Sequence, residues 1–275
     1  TVSVGGAAQA SAAQSIAVGR SANASSLSAT AIGYQSIASG TLSFAGGYLA
    51  SASGGSSTAV GAQSVASAVL STAIGVIAVA SQPNATAIGH NTIASGLQST
   101  ALGNQSEATA DFATAAGTFS KSNAIYSTTI GSDNTANGPN SFIAGVSSTT
   151  SGQRAIAIGN TTSADGTDCI AFGTNDSVLS GRAIAVGTSI SILALAPSAV
   201  SVGDIITNGG AQSIAIGKSL TTLFNNTVML GNNINCNSEN AIIIGLDIID
   251  GGVGANHISI GNSALAGNDN SKIGR

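Results

Sequence analysis

Side chains able to do chemistry are scarce in this sequence, and their spacing limits what they can do. Its two histidines, His90 and His257, lie far apart in the chain, and a lone imidazole without a nearby acid or nucleophile is no catalytic set. Cys169 and Cys236 stand 67 residues apart and form neither a CxxC pair nor a metal-ligand spacing. No Ser–His–Asp set, Walker loop, HExxH motif or paired carboxylates can be assembled. Asp247, Asp250, Gly251 and Gly252 hint at a cation loop. The glycine–aspartate nonapeptide of calcium-binding repeats is missing, so a bulging turn is the favoured reading. No catalytic, cofactor-binding or metal-binding residue is expected.

What remains are candidates for contact. Arg20, Tyr34 and Tyr48 recur at intervals of 14 and include two of the three tyrosines. Arg and Tyr are enriched at binding hot spots, and a guanidinium can lie over a phenol ring. The trio reads either as a contact patch for a glycan or protein, or as a stack that stiffens one edge of the fold. A second row at the same interval holds Phe112, Tyr126, Asn140, Arg154, Asp168 and Arg182. Its alternating charges suggest an ion ladder, of small worth if exposed, and its aromatic pair suggests a contact between chains. A third row is Thr58, Thr72, Thr86, Thr100, Thr114 and Thr128. An exposed threonine ladder could match ice. This one gives way to Ile156, Ile170, Ile184, Ile214 and Ile242, which favours burial or an interface.

The interval that aligns these rows governs the whole chain. Glycines at 5, 19, 33, 47, 61, 75, 89, 103, 117, 131, 145, 159, 173 and 187 are each 14 residues apart. The series resumes at 203, 217, 231, 245 and 261, with two steps of 16. The residue before the glycine is nearly always apolar, the one two before is small and usually Ala, and the one three before is Thr, Ile, Val or Phe, as in Thr72-Ala73-Ile74-Gly75. That alternation is a short strand. A second alanine column follows five residues after the glycine, at Ala24, Ala38, Ala52 and Ala66. A second turn signal comes seven after it, at Gly40, Gly54, Gly96, Gly138, Gly152 and Gly166. Each repeat therefore reads strand, turn, strand, turn, and makes one coil. Gly19, Gly33, Gly61, Gly75, Gly89, Gly103, Gly159, Gly187 and Gly217 are among the structural corners, where a Cβ would clash or φ must be positive. Stacking at roughly 4.8 Å per coil gives a rod of roughly 90 Å for 19 coils. One coil cannot bury its own apolar residues, so stability must come from stacking. A single repeat domain over residues 1–275 is expected, with two-residue insertions in the 188–203 and 246–261 repeats.

Composition agrees. Charged residues are 7% of the 275, aromatics 3%, Trp is absent, and Gly numbers 36. Typical domains are about a quarter charged. A core of large side chains cannot be built from this. The net charge of −4 and the lack of a basic run exclude nucleic-acid binding driven by phosphate contacts. No apolar run is long enough to span a membrane, so no direct membrane insertion by this segment is expected. No signal peptide is visible and the first residue is Thr1, so the chain reads as a segment of something longer. The left-handed β-helix acyltransferases need a six-residue period and a catalytic histidine, and both are missing.

The motifs Thr72-Ala73-Ile74-Gly75, Ser36-Ile37-Ala38-Ser39-Gly40, Ile156-Ala157-Ile158-Gly159 and Ile214-Ala215-Ile216-Gly217 resemble the head of trimeric autotransporter adhesins, the YadA-type β-roll. The resemblance covers essentially the whole chain. It implies an all-β fold, a left-handed parallel β-roll or solenoid of about 19 fourteen-residue coils, assembled side by side as a homotrimer. It implies a non-enzymatic head segment of a surface fibre, extracellular, that adheres to a host or target-cell protein or glycan through a repetitive, multivalent surface. The head would then stand N-terminal to a stalk. The same module occurs in viral and phage tail fibres, which is the alternative, and an ice-binding solenoid is the third reading.

Overall fold

A computed structural model describes residues 1–250, 256 and 258–262, with the backbone of 265, 266 and 271–273. The fold follows from one local rule. An apolar-small-apolar triplet favours extended backbone, but two residues beyond each corner glycine from Gly5 to Gly245 the chain enters the left-handed region and turns. It does so again seven residues later. Non-glycine residues with φ near +55° fall at Ala7, Gln14, Ser21, Ser28 and every seventh position through Ser189. Two such turns close each coil. The repeat is thus 14 residues in sequence but two similar sevens in backbone.

All strand pairings among the described residues are parallel and join neighbouring coils, and no helix forms. Thr72–Ile74 lies in register with Thr58–Val60 on one side and Thr86–Ile88 on the other. The shorter Val65–Ala66 pairs with Ser51–Ala52 and Val79–Ala80. Turn amides are satisfied by the previous coil as well: Gln35 N–H donates to Arg20 O (2.9 Å) and Leu49 N–H to Tyr34 O (2.9 Å). This is a parallel β-solenoid of about 18 turns, bounded by the nineteen corner glycines.

Two units, Thr1–Ala136 and Asn137–Arg275, can be told apart. In the first, each coil has a three-residue and a two-residue strand until the last, where Thr128–Ser132 has five residues. The buried apolar cluster there is alanine throughout, from Ala17 to Ala115. Serines fill the remaining inward places, and Ser43 and Ser71 donate to the Gly40 and Ala68 carbonyls at 2.6 Å, which makes their burial tolerable. In the second unit the inward side chains grow to Ile143, Val178, Ile190, Ile206, Leu220, Met229 and Ile234. Strands lengthen to nine residues: Ile184–Ile192, Val200–Asn208, Ile214–Thr222, Val228–Cys236 and Ile242–Asp250. Corner φ values there rise, for example to 152° at Gly187 against 129° at Gly75. The more open corner lets the hydrogen-bond ladder run through it.

The corner glycines meet both demands made of them. At Gly75 φ is +129°, and an added Cβ would strike the Gly89 backbone. The second set works differently. At Gly96 φ is not in the left-handed region, and the barrier is contact with the Ala110 carbonyl.

Pairing registers advance by 14 except between Ile184 and Val200 and between Ile242 and Ile258, where they advance by 16, and between Ile258 and Ser271, where they advance by 13. In the first case the surplus lies in the turn Leu193–Ser198, which buries Ala196 and leaves Leu195 84% exposed. Gly251, Gly252 and His257 lie outside the described residues.

Candidate functional site

Strand geometry sorts the columns. In Thr72-Ala73-Ile74 the alanine is buried, while Thr72 is half-buried and Ile74 is 37% exposed. The apolar residue before each corner glycine therefore faces outward, as at Ile32, Ile88, Leu102 and Ile130. The six-threonine ladder is also outward-facing and half-buried in the single chain. Both outward columns run in register from coil to coil.

Arg20, Tyr34 and Tyr48 each follow a corner glycine, and the 14-residue register superposes them. The tyrosine rings stack with centroids 5.4 Å apart and planes 10° from parallel. The Arg20 guanidinium sits 5.7 Å from the Tyr34 centroid. All three are exposed, Tyr34 by 38% and Tyr48 by 52%. The inter-coil hydrogen bonds of their turns hold the row rigid. The second row forms in the same way. Phe112 stacks on Tyr126 with centroids 4.8 Å apart. Arg154 holds Asp168 through Nε–Oδ1 and Nη2–Oδ2, the latter at 2.8 Å. The Arg154 hydrogen bond draws the Asp168 carboxyl below its usual range, and the charge of Arg182 adds to this. The pair is exposed on a turn, where such bridges contribute little. Lys121–Glu107 (3.1 Å) and Lys218–Asp204 (3.6 Å) likewise join residues 14 apart.

The remaining reactive types are dispersed. Exposed His90 lies 3.5 Å from Asn104. Cys169 and Cys236 are free and buried, and burial pushes both thiols up to about 11, so neither is a thiolate at neutral pH. Among the described residues no cluster of three or more His, Cys, Asp or Glu could hold a metal ion. No helix is long and apolar enough to cross a membrane.

Two carboxylates point inward, and of these Asp176 was not singled out from the sequence. Asp176 occupies the inward column of Ser148 and Thr162 and is 1% exposed. Its Oδ1 accepts from Ile190 N–H (2.9 Å), while its buried Oδ2 has no hydrogen-bond partner. Desolvation raises its pKa. Asp250, 2% exposed, accepts from Asn237 N–H (3.1 Å). The signal for Asp176 was its place three residues after Gly173, a column otherwise filled by Ala, Ser, Thr or Asn in the preceding coils.

The profile of the YadA head domain repeat (two copies) matches residues 1–22, 24–50, 52–69, 66–92, 94–120 and 151–175, together just over half of the chain. No curated protein sequence matches it. The YadA head family is one of non-enzymatic adhesins. With the matched repeats stacked coil on coil as a parallel β-solenoid, the chain belongs to the YadA head domain repeat family.

Proposed function

We propose that this chain is a head segment of an extracellular trimeric fibre that adheres to a host or target-cell surface, and that it carries no catalytic activity of its own. The observation that carries the reading is where the large apolar side chains point. The interior of the first unit is chiefly alanine and serine, while Ile32, Ile74, Ile88 and Leu102 stand in register on the outside. A soluble single chain rarely leaves such a continuous apolar strip in water. Side-by-side association of three chains would cover it and leave the turn rows, which vary from coil to coil, as the outer surface. A ligand contacting several rows at once would bind multivalently.

Light scattering after size exclusion tests the assembly. The expected mass is three times the 26.3 kDa chain. A single-chain mass at micromolar protein would overturn it. The outward threonine ladder favours a second reading, ice binding. It requires that the strip be free in solution, so a single-chain mass together with thermal hysteresis would establish that reading instead.

A further inference from the structure

The row Arg20–Tyr34–Tyr48 has properties that stiffening an edge does not call for. Arg20 is the sole Asp, Glu, Lys or Arg in the first 106 residues, Glu107 being the next charged side chain. Its charge is therefore offset by no acidic side chain in its own or the neighbouring coils. The three ion pairs elsewhere each match a cation with an anion one coil away, so the solenoid places counter-charges readily and has placed none here. The row is also bounded by small residues. Gly6 precedes Arg20, and a Cβ built on it would meet nothing within 4 Å. Ala62 follows Tyr48. The outer side of the guanidinium and the outer face of Tyr48 are thus left uncovered, while the inner faces are taken up by the stack. Neither phenol hydroxyl has a hydrogen-bond partner among the described residues.

We propose that Arg20, Tyr34 and Tyr48 form a binding site for a carboxylated saccharide. The guanidinium fork receives the carboxylate, a geometry in which arginine excels. The two phenol hydroxyls, about 5 Å apart along the coil direction by the stacking of strands, hydrogen-bond to sugar hydroxyls. The open face of Tyr48 takes the C–H face of a sugar ring over the small Ala62. A peptide partner is less suited. The residues that follow the row are Ser21, Gln35, Leu49 and Gln63, and one half-buried leucine among polar neighbours forms no apolar pocket for a side-chain anchor. The row is built before the ligand arrives, because its turns are bonded to adjacent coils, so little side-chain ordering opposes binding. The site stands on its own geometry and does not depend on the oligomeric state.

The test titrates the folded protein with a glucuronate-containing tetrasaccharide, followed by tyrosine emission, which no Trp obscures, and by saturation-transfer NMR. A sialylated trisaccharide is run alongside to separate an in-chain from a terminal carboxylate. Saturable binding of either is expected. Arg20→Gln and Tyr48→Ala should each weaken it about tenfold or more. Tyr126→Ala, in the other aromatic row, should leave it unchanged. The carboxyl-reduced form of the better saccharide should bind wild type as weakly as the acid form binds Arg20→Gln. The site is overturned if neither saccharide saturates, or if affinity survives both Arg20→Gln and Tyr48→Ala. It is also overturned if a poly-glutamate peptide competes as well as the saccharide, since the anion alone would then be recognised. All three substitutions are on exposed turns, and unchanged circular dichroism separates lost binding from lost fold.

Discussion

At the scale of single residues the solenoid tolerates side chains that its backbone does not favour. Ile77 and Ile205 adopt φ of 58° and 54°, a region β-branched residues rarely enter. Both are exposed, so packing does not oblige Ile to be there. Ile77→Asn is expected to stabilise the protein by about 0.5–1 kcal/mol, since Asn enters this region more easily. A denaturant midpoint that stays put or falls would contradict this. Asp176 carries the opposite kind of tension. Its folded pKa is raised by burial, so folding takes up a proton. Its contribution to stability is fully present below the unfolded carboxylate value near ~4 and is lost as pH rises through the folded value. Asn134 fills the equivalent place three residues after Gly131 and donates to Ile130 O at 2.9 Å. Asp176→Asn should therefore supply a donor, raise neutral-pH stability by about 1–3 kcal/mol, and flatten the pH dependence. Identical pH–stability curves for variant and wild type would show that Asp176 does not set it. Asp168 has the reverse sign, favouring the fold above its unfolded pKa and losing that as pH falls; on an exposed turn the effect is small.

At the scale of the element, a coil is held by what cannot grow. The inward alanines have neighbours above and below at the strand spacing, and none can move without displacing a ladder. Ala66 is fully buried between Ala52 and Ala80. Ala66→Leu is expected to destabilise the fold by about 1–3 kcal/mol through overpacking, measured as a lower thermal midpoint. An unchanged midpoint would mean that the interior is not close-packed there. Gly75→Ala meets both a positive φ and the Gly89 backbone, and the backbone strain alone costs about 1–3 kcal/mol. Gly96→Ala should also be damaging, through contact alone, with the Ala110 carbonyl and the Asp111 amide. Comparing the two sets the loss at a position that combines positive φ with contact against the loss from contact alone.

At the scale of the whole molecule, the outward apolar strip is the feature with most consequence. If association covers it, a charge placed on the strip should act on assembly before it acts on the fold. Ile88→Asp, outward and 39% exposed, is expected to shift the scattering mass toward one chain while the circular dichroism of the coils persists. Retention of the wild-type mass would place the interface elsewhere. Turn substitutions such as Tyr48→Ala should leave the mass alone.

Much of this was legible before any coordinates. The glycine interval, the triplet before each glycine and the second alanine column specify coil length, strand positions and register, because a residue and its neighbour 14 later must occupy the same place on successive coils. The same arithmetic brought Arg20 to Tyr34 and Tyr48, and Arg154 to Asp168. The seven-residue recurrence of left-handed turns was hidden. It is carried by residues as unlike as Leu42, Phe119 and Arg154, since inter-coil hydrogen bonds impose the conformation whatever the side chain. Which face of the Thr-Ala-Ile strand turns inward was equally open in the sequence, for alternation separates two faces without saying which is the core. Only the tertiary structure decided it. In the first unit the narrow gap between the strands of one coil is filled by Ala, so the small column went in and the larger apolar side chains were left to face outward, whereas in the second unit the same inward column takes Ile143, Met229 and Ile243.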